Sequence, residues 1–88
     1  MKIKNGFVLE KVGESYLACA TGKLATEFHG FLRLNETGAL LWGALSEDTD
    51  ESALAARLVE AYGIDEAVAA KDSARFIDSL RNNGILDE

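Results

Sequence analysis

A four-residue extended run, Phe31-Leu32-Arg33-Leu34, passes without a break into Asn35-Glu36-Thr37-Gly38-Ala39-Leu40-Leu41-Trp42. The second stretch reads as a helix start. Asn35 is a good N-cap, because its side-chain oxygen accepts from a backbone N–H one turn on. Glu36 then lies where the helix dipole favours negative charge. Gly38, Leu41, Trp42 and Leu45 share one face at helical spacing. A short strand that runs straight into a capped helix holds a sheet edge close to helical neighbours.

The rest of the chain supplies that context. Phe7–Val12 and Ser15–Thr21 are rich in strand formers and flank Gly13-Glu14, so they read as a hairpin. The polar–apolar alternation is imperfect and assigns no faces. Gly22 to Gly30 is a connection of mixed polarity, and Phe31–Leu34 is the third strand. The chain has no proline, so no strand is excluded by a missing donor. Asp50 caps a second helix carrying Leu54, Ala55, Leu58, Val59 and Tyr62, and Gly63 ends it at a position that tolerates positive φ. Asp65 caps a third, whose apolar stripe reads as Ala70, Ala74, Ile77 and Leu80. Gly84 stops it, with Ile85 placed to fold back on Leu80. Three strands followed by three helices predict an α+β domain: a three-stranded antiparallel sheet, then a winged helix-turn-helix-like arrangement. At 88 residues the chain has room for one core, so residues 1–88 are expected to form a single domain.

Charge narrows the function. Residues 1–35 carry five Lys/Arg against three Asp/Glu; residues 36–88 carry four against twelve. An acidic helical half is poor footing for phosphates. The third helix sets Lys71, Arg75 and Arg81 against Asp72 and Asp78, which leaves a nucleic-acid-binding winged helix as the runner-up. The single cysteine, Cys19, forbids an internal disulfide and fits a reducing compartment; it reads as a small buried hydrophobe. No run is long and apolar enough for a membrane span or a signal peptide, so a cytoplasmic protein is expected.

Catalytic chemistry is hard to assemble. His29 is the only histidine and reads as a loop residue. One His and one Cys make neither a nucleophile–base pair nor a zinc site. No glycine pattern cradles phosphate. Glu47, Asp48, Asp50 and Glu51 cluster at a helix start, where capping and solvation account for them. No enzyme, no cofactor and no metal are expected.

Edge recognition remains. An unpaired strand edge offers N–H and C=O groups to an incoming peptide. Four residues provide about four backbone bonds at roughly 0.5–1.5 kcal/mol each. Micromolar binding needs about 8 kcal/mol. The guest must therefore also bury apolar side chains, at roughly 1.5–3 kcal/mol each. The third helix is the natural wall. Phe76 lies off its core stripe, Leu80 bridges two faces, and Asp72, Arg75 and Ser79 line the rim.

The run Leu34–Trp42 resembles the PqqD family, small proteins named for pyrroloquinoline quinone (PQQ) biosynthesis that typify the recognition element for ribosomally made, modified peptides (the RiPP precursor recognition element). Asp48-Thr49-Asp50, the Leu58–Tyr62 segment before Gly63-Ile64-Asp65, and the ending Leu80-Arg81-Asn82-Asn83-Gly84-Ile85-Leu86 match more weakly. The likeness spans about residues 7–86. It implies a non-catalytic, cofactor-free peptide chaperone. Such a protein binds a precursor's leader as an added strand and presents it to a modifying enzyme, often a radical S-adenosylmethionine maturase. Carried onto this chain, the guest lies along Phe31, Leu32, Arg33 and Leu34, with Asp72, Arg75, Phe76 and Leu80 opposite. The resemblance leaves the pathway open. A scaffold that contacts only a folded protein is a third reading, and monomer and dimer both remain open.

Overall fold

The computed structural model describes residues 1–22 and 30–88. The expected connection from Gly22 to Gly30, with His29, lies outside the described residues except at its two ends. In chain order the elements are β1 (Lys2–Ile3), β2 (Phe7–Val12), β3 (Ser15–Ala20), β4 (Phe31–Leu34), α1 (Glu36–Ala44), α2 (Glu51–Tyr62), α3 (Glu66–Asn82) and β5 (Leu86–Asp87). The three-stranded antiparallel sheet followed by three helices is as the sequence predicts, and β2-β3-β4 is its strand order. Gly13, at φ 63°, is the first residue of a two-residue turn that closes the hairpin at Val12–Ser15.

Helix boundaries follow the local chemistry. Gly38 N–H donates to Asn35 Oδ1 at 2.8 Å, Ala53 N–H to Asp50 Oδ1 at 2.8 Å, and Ala67 N–H to Asp65 Oδ2 at 3.1 Å. Gly63 closes α2 in the left-handed region, its N–H donating to Val59 O. At the end of α3, Ile85 N–H reaches Leu80 O at 3.0 Å and Gly84 N–H reaches Arg81 O at 3.1 Å. That pair of bonds is a Schellman closure, and it carries Ile85 into the core.

Leu41 and Trp42 from α1, Leu45 at its C-cap, Leu54 and Leu58 from α2, Ile77 and Leu80 from α3, and Ile85 fill the core, with Ala18 and Leu34 from the sheet. Phe7 of β2 meets Trp42 edge-on at 6.2 Å between ring centres, which joins the sheet to α1.

Four expectations need correction. The inward stripe of α3 is Ala69, Ser73, Ile77 and Leu80, while Ala70 is exposed. Both rows fit helical spacing from Ile77, and serine is small enough to take the inner position that its polarity argued against. Tyr62 is exposed at the end of α2. Cys19 is only half-buried, because the middle strand of this sheet is open in part on its outer face. Finally, β1 and β5 form an unanticipated antiparallel pair, Lys2 opposite Asp87 and Ile3 opposite Leu86. Ile3 N–H also donates to Leu45 O at 2.9 Å, which pins this pair to the exit of α1.

Candidate binding cleft beside the open edge of β4

β4 is the last strand of its sheet, and the phase of the ladder tells which of its backbone groups are free. Thr21 N–H donates to Gly6 O at 2.6 Å, which makes Gly6–Thr21 a bonded pair just beyond the β2–β3 register. Bonded and non-bonded pairs alternate in an antiparallel ladder. Ser15, Leu17 and Cys19 therefore also bond towards β2, and Tyr16 and Ala18 turn their backbone groups towards β4. Those two residues sit opposite Leu34 and Leu32. Leu32 and Leu34 thus complete the sheet, and Phe31 and Arg33 direct N–H and C=O away from it.

Side chains along β4 alternate independently of this. Leu34 is buried and Leu32 half-buried on the core side; Phe31 and Arg33 are exposed. Phe31 is 55% exposed.

The edge borders a cleft. A cavity of about 470 Å³ is lined by Leu32, Arg33, Leu34, Gly38, Phe76 and Ser79, with Glu14, Ser15 and Asn35 at its margin. A second, of about 350 Å³, continues between α1 and α3 past Thr37, Leu41, Asp72 and Arg75. Asn35, Gly38 and Phe76 line both. The local reason for this space is the strand-to-helix junction. Asn35 turns the chain from β4 into α1, and Gly38 has no side chain to fill the corner. Leu32, Leu34, Leu41 and Phe76 make the walls apolar. Glu14, Arg33, Asp72 and Arg75 form a rim of balanced charge, and none of the four has an ion-pair partner among the described residues.

Most of the sequence-derived site residues meet here. Leu32, Arg33, Leu34, Asp72, Arg75, Phe76 and Ser79 line the cleft, and Phe31 contributes edge backbone. Leu80 does not. It is fully buried, on the inner row of α3 with Ser73 and Ile77 and in the core cluster that Ile85 joins. Glu14, Ser15 and Leu41 line the cleft and were not anticipated, and Asn35, Thr37 and Gly38, which read from the sequence as a helix start and not as contacts, line it too; the hairpin turn preceding Ser15 is the only sequence signal that could have pointed to the first two.

The shifted titrations lie elsewhere. The Arg81 guanidinium bonds Glu88 at 2.7 and 3.0 Å and holds the Glu88 carboxyl below its ordinary value. The Met1 ammonium does the same to Asp48. Among the described residues no group of three or more His, Cys, Asp or Glu is placed to hold a metal ion, and no helix is long and apolar enough to cross a membrane.

A larger space, about 660 Å³, lies between α2 and α3 against Ala55, Val59, Ala67 and Ala70. It is lined by helix residues, and past the first turns of α2 and α3 their backbone N–H groups are bonded within the helices. Among the described residues, the cleft beside β4 combines apolar walls with the outward N–H and C=O groups of a strand edge, so it is the better candidate despite its size.

The family model for coenzyme PQQ synthesis protein D (PqqD) matches residues 21–86. The chain belongs to the PqqD family. That match takes in β4 and all three helices, which means the whole cleft except Glu14 and Ser15; the β2–β3 hairpin stands outside it. Among solved structures, this PqqD-family chain resembles TbiB1 in complex with the TbiA(beta) leader peptide, with a TM-score of 0.77 and 21% identity over 99% of this chain and 95% of that one. It also resembles lasso peptide synthetase B1 complexed with the leader peptide, with a TM-score of 0.72 and 19% identity over 96% and 93%. At such identities these two establish the fold, hairpin included. A comparison with curated proteins finds no match.

Proposed function

We propose that this protein is a peptide chaperone that captures the leader of a ribosomally made precursor as a fourth strand against β4 and presents it to a modifying enzyme. The observation that carries this reading is the Phe31 and Arg33 backbone, without a strand partner on its outer side among the described residues, beside an apolar cleft. Backbone pairing supplies register, and the cleft supplies the affinity that four hydrogen bonds lack. Both solved neighbours are leader-peptide complexes, which supports the same assignment here. Binding rather than catalysis is the role, and the family resemblance points to a radical S-adenosylmethionine maturase as the enzyme served, in the cytoplasm.

The nucleic-acid reading loses ground on α3. Of its cations, Arg81 is already held by Glu88 and Asp78, which leaves Lys71 and Arg75 on a helix that also carries Asp72 and Asp78.

The test is an amide chemical-shift titration with the precursor peptide encoded beside this gene. Shifts are expected at Phe31 and Arg33 and on α3 around Phe76 and Ser79. Shifts confined to Ala55, Val59, Ala67 and Ala70 would refute strand docking and favour a partner seated between α2 and α3.

A further inference from the structure

We propose that Gly38 is a specificity-determining position: lacking a Cβ, it lets the Phe76 ring divide the cleft into two side-chain subsites that select a guest strand with apolar residues at alternate positions. This rests on the strand-docking reading and deepens it.

Phe76 and Gly38 line both cavities. A Cβ added at Gly38 would stand 3.3 Å from each of three atoms: Phe76 Cε1, Leu34 Cβ and Asn35 Oδ1. These belong to the helical wall, the end of the edge strand and the cap of α1. Leu34 Cβ is fixed by the strand backbone. Asn35 Oδ1 is fixed by its 2.8 Å bond from Gly38 N–H. The half-buried ring is the member that can yield, by rotating away from α1. Glycine at this place therefore gauges how deeply the ring sits.

The seated ring then measures the guest. Side chains at alternate positions of a strand share one face and stand roughly 6.6–6.8 Å apart. Two groups packed against opposite sides of one aromatic ring, each at about 3.5–4.0 Å, stand roughly 7–8 Å apart. The two spacings lie within roughly 1 Å of each other. Adjacent residues point to opposite faces of a strand and cannot fill both spaces. The subsite next to Leu32 and Leu34 takes an aliphatic side chain. The one over Leu41 does too, and its mouth, between Asp72 and Arg75, admits a polar neighbour of either sign.

The experiment uses short fluorescein-labelled peptides with a serine–threonine background and two leucines, placed either adjacent or at alternate positions. By anisotropy, the alternate-leucine peptide is expected to bind wild type about tenfold more tightly than the adjacent-leucine peptide. Gly38→Ala is expected to reduce that ratio to below about twofold. Phe76→Leu removes the partition without adding an atom to the core, and is expected to reduce it likewise; it decides the matter if Gly38→Ala does not fold. Wild type without a spacing preference, or both variants retaining it, overturns the proposal. The neighbouring precursor separates the two levels of inference: Phe31 and Arg33 amide shifts without a spacing preference leave strand docking standing and remove the role of Gly38, and absence of those shifts removes both.

Discussion

Proline at β4 discriminates one backbone direction from the other. Arg33 N–H points out of the sheet, so Arg33→Pro deletes a donor that the fold does not use. Proline at a strand edge with its nitrogen facing outward is an accepted arrangement, and the preceding Leu32 is already extended, as proline requires. The folded state should survive. A docked guest, however, loses one bond and keeps a carbonyl without a partner, at a cost of about 1–2 kcal/mol in this half-open setting. That is roughly a 5- to 30-fold rise in Kd. Arg33→Ala isolates the amide from the guanidinium, since it removes the side chain and keeps the donor. Leu32→Pro does the opposite damage: its N–H bonds β3, and the loss breaks the ladder from inside. The assay is isothermal titration with the neighbouring precursor, paired with thermal unfolding of each variant. Arg33→Pro should bind markedly worse than Arg33→Ala at nearly equal Tm, and Leu32→Pro should lower Tm. Equal affinities for Arg33→Pro and Arg33→Ala would refute the assigned edge.

Other expectations concern the scaffold. Ser73 Oγ is buried with no hydrogen-bond partner among the described residues, so Ser73→Ala should stabilise the protein by about 1–2 kcal/mol, through relief of desolvation and better helix propensity, measured by urea unfolding. Leu80→Ala should cost about 2–5 kcal/mol by opening a cavity in the core, with precursor affinity unchanged in the folded fraction; weakened binding at unchanged stability would return Leu80 to the cleft. Glu88, held below its ordinary value first by the hydrogen bond from Arg81, contributes stability present above the usual glutamate range and lost as pH falls through the depressed value. The stability gap between wild type and Glu88→Gln should therefore close on acidification from roughly pH 7 to 3, and a gap that stays constant would contradict the pairing.

Much of this was legible in the sequence because short-range chemistry decides it. Asn35, Asp50 and Asp65 cap helices by reaching two or three residues ahead, and Gly84-Ile85 reverses the chain with its own backbone. The edge strand was readable because it directly precedes a cap. What was not readable depends on the third dimension. The β1–β5 pair joins residues at opposite ends of the chain through two short strands, with no local signal strong enough to mark either. The inner row of α3 turned on whether Ile77 is continued by Ser73 or by Ala74, and packing against α2, not hydrophobicity, settled it. Leu80 was misplaced for the same reason, since a quarter-turn of a helix separates a cleft wall from a core.

From the same geometry we propose that the open edge does not take up a second copy of itself, which sedimentation of the free protein as a monomer would bear out and a dimer lost in Arg33→Pro would refute. Two β4 strands placed side by side would exchange the Phe31 and Arg33 backbone groups, about four bonds worth roughly 2–6 kcal/mol together. Association costs at least about 4 kcal/mol in lost freedom, so backbone alone holds little. The deficit must come from side chains entering the cleft, and a second β4 has none to offer. Its Leu32 and Leu34 are committed to their own core, and its own α3 stands beside the strand it would present. A disordered peptide carries no such commitments: its alternate side chains are free to enter beside Phe76 as its backbone pairs. On this proposal the short edge is too weak for self-association and for any strand without anchors, and selectivity comes from the cleft beside it.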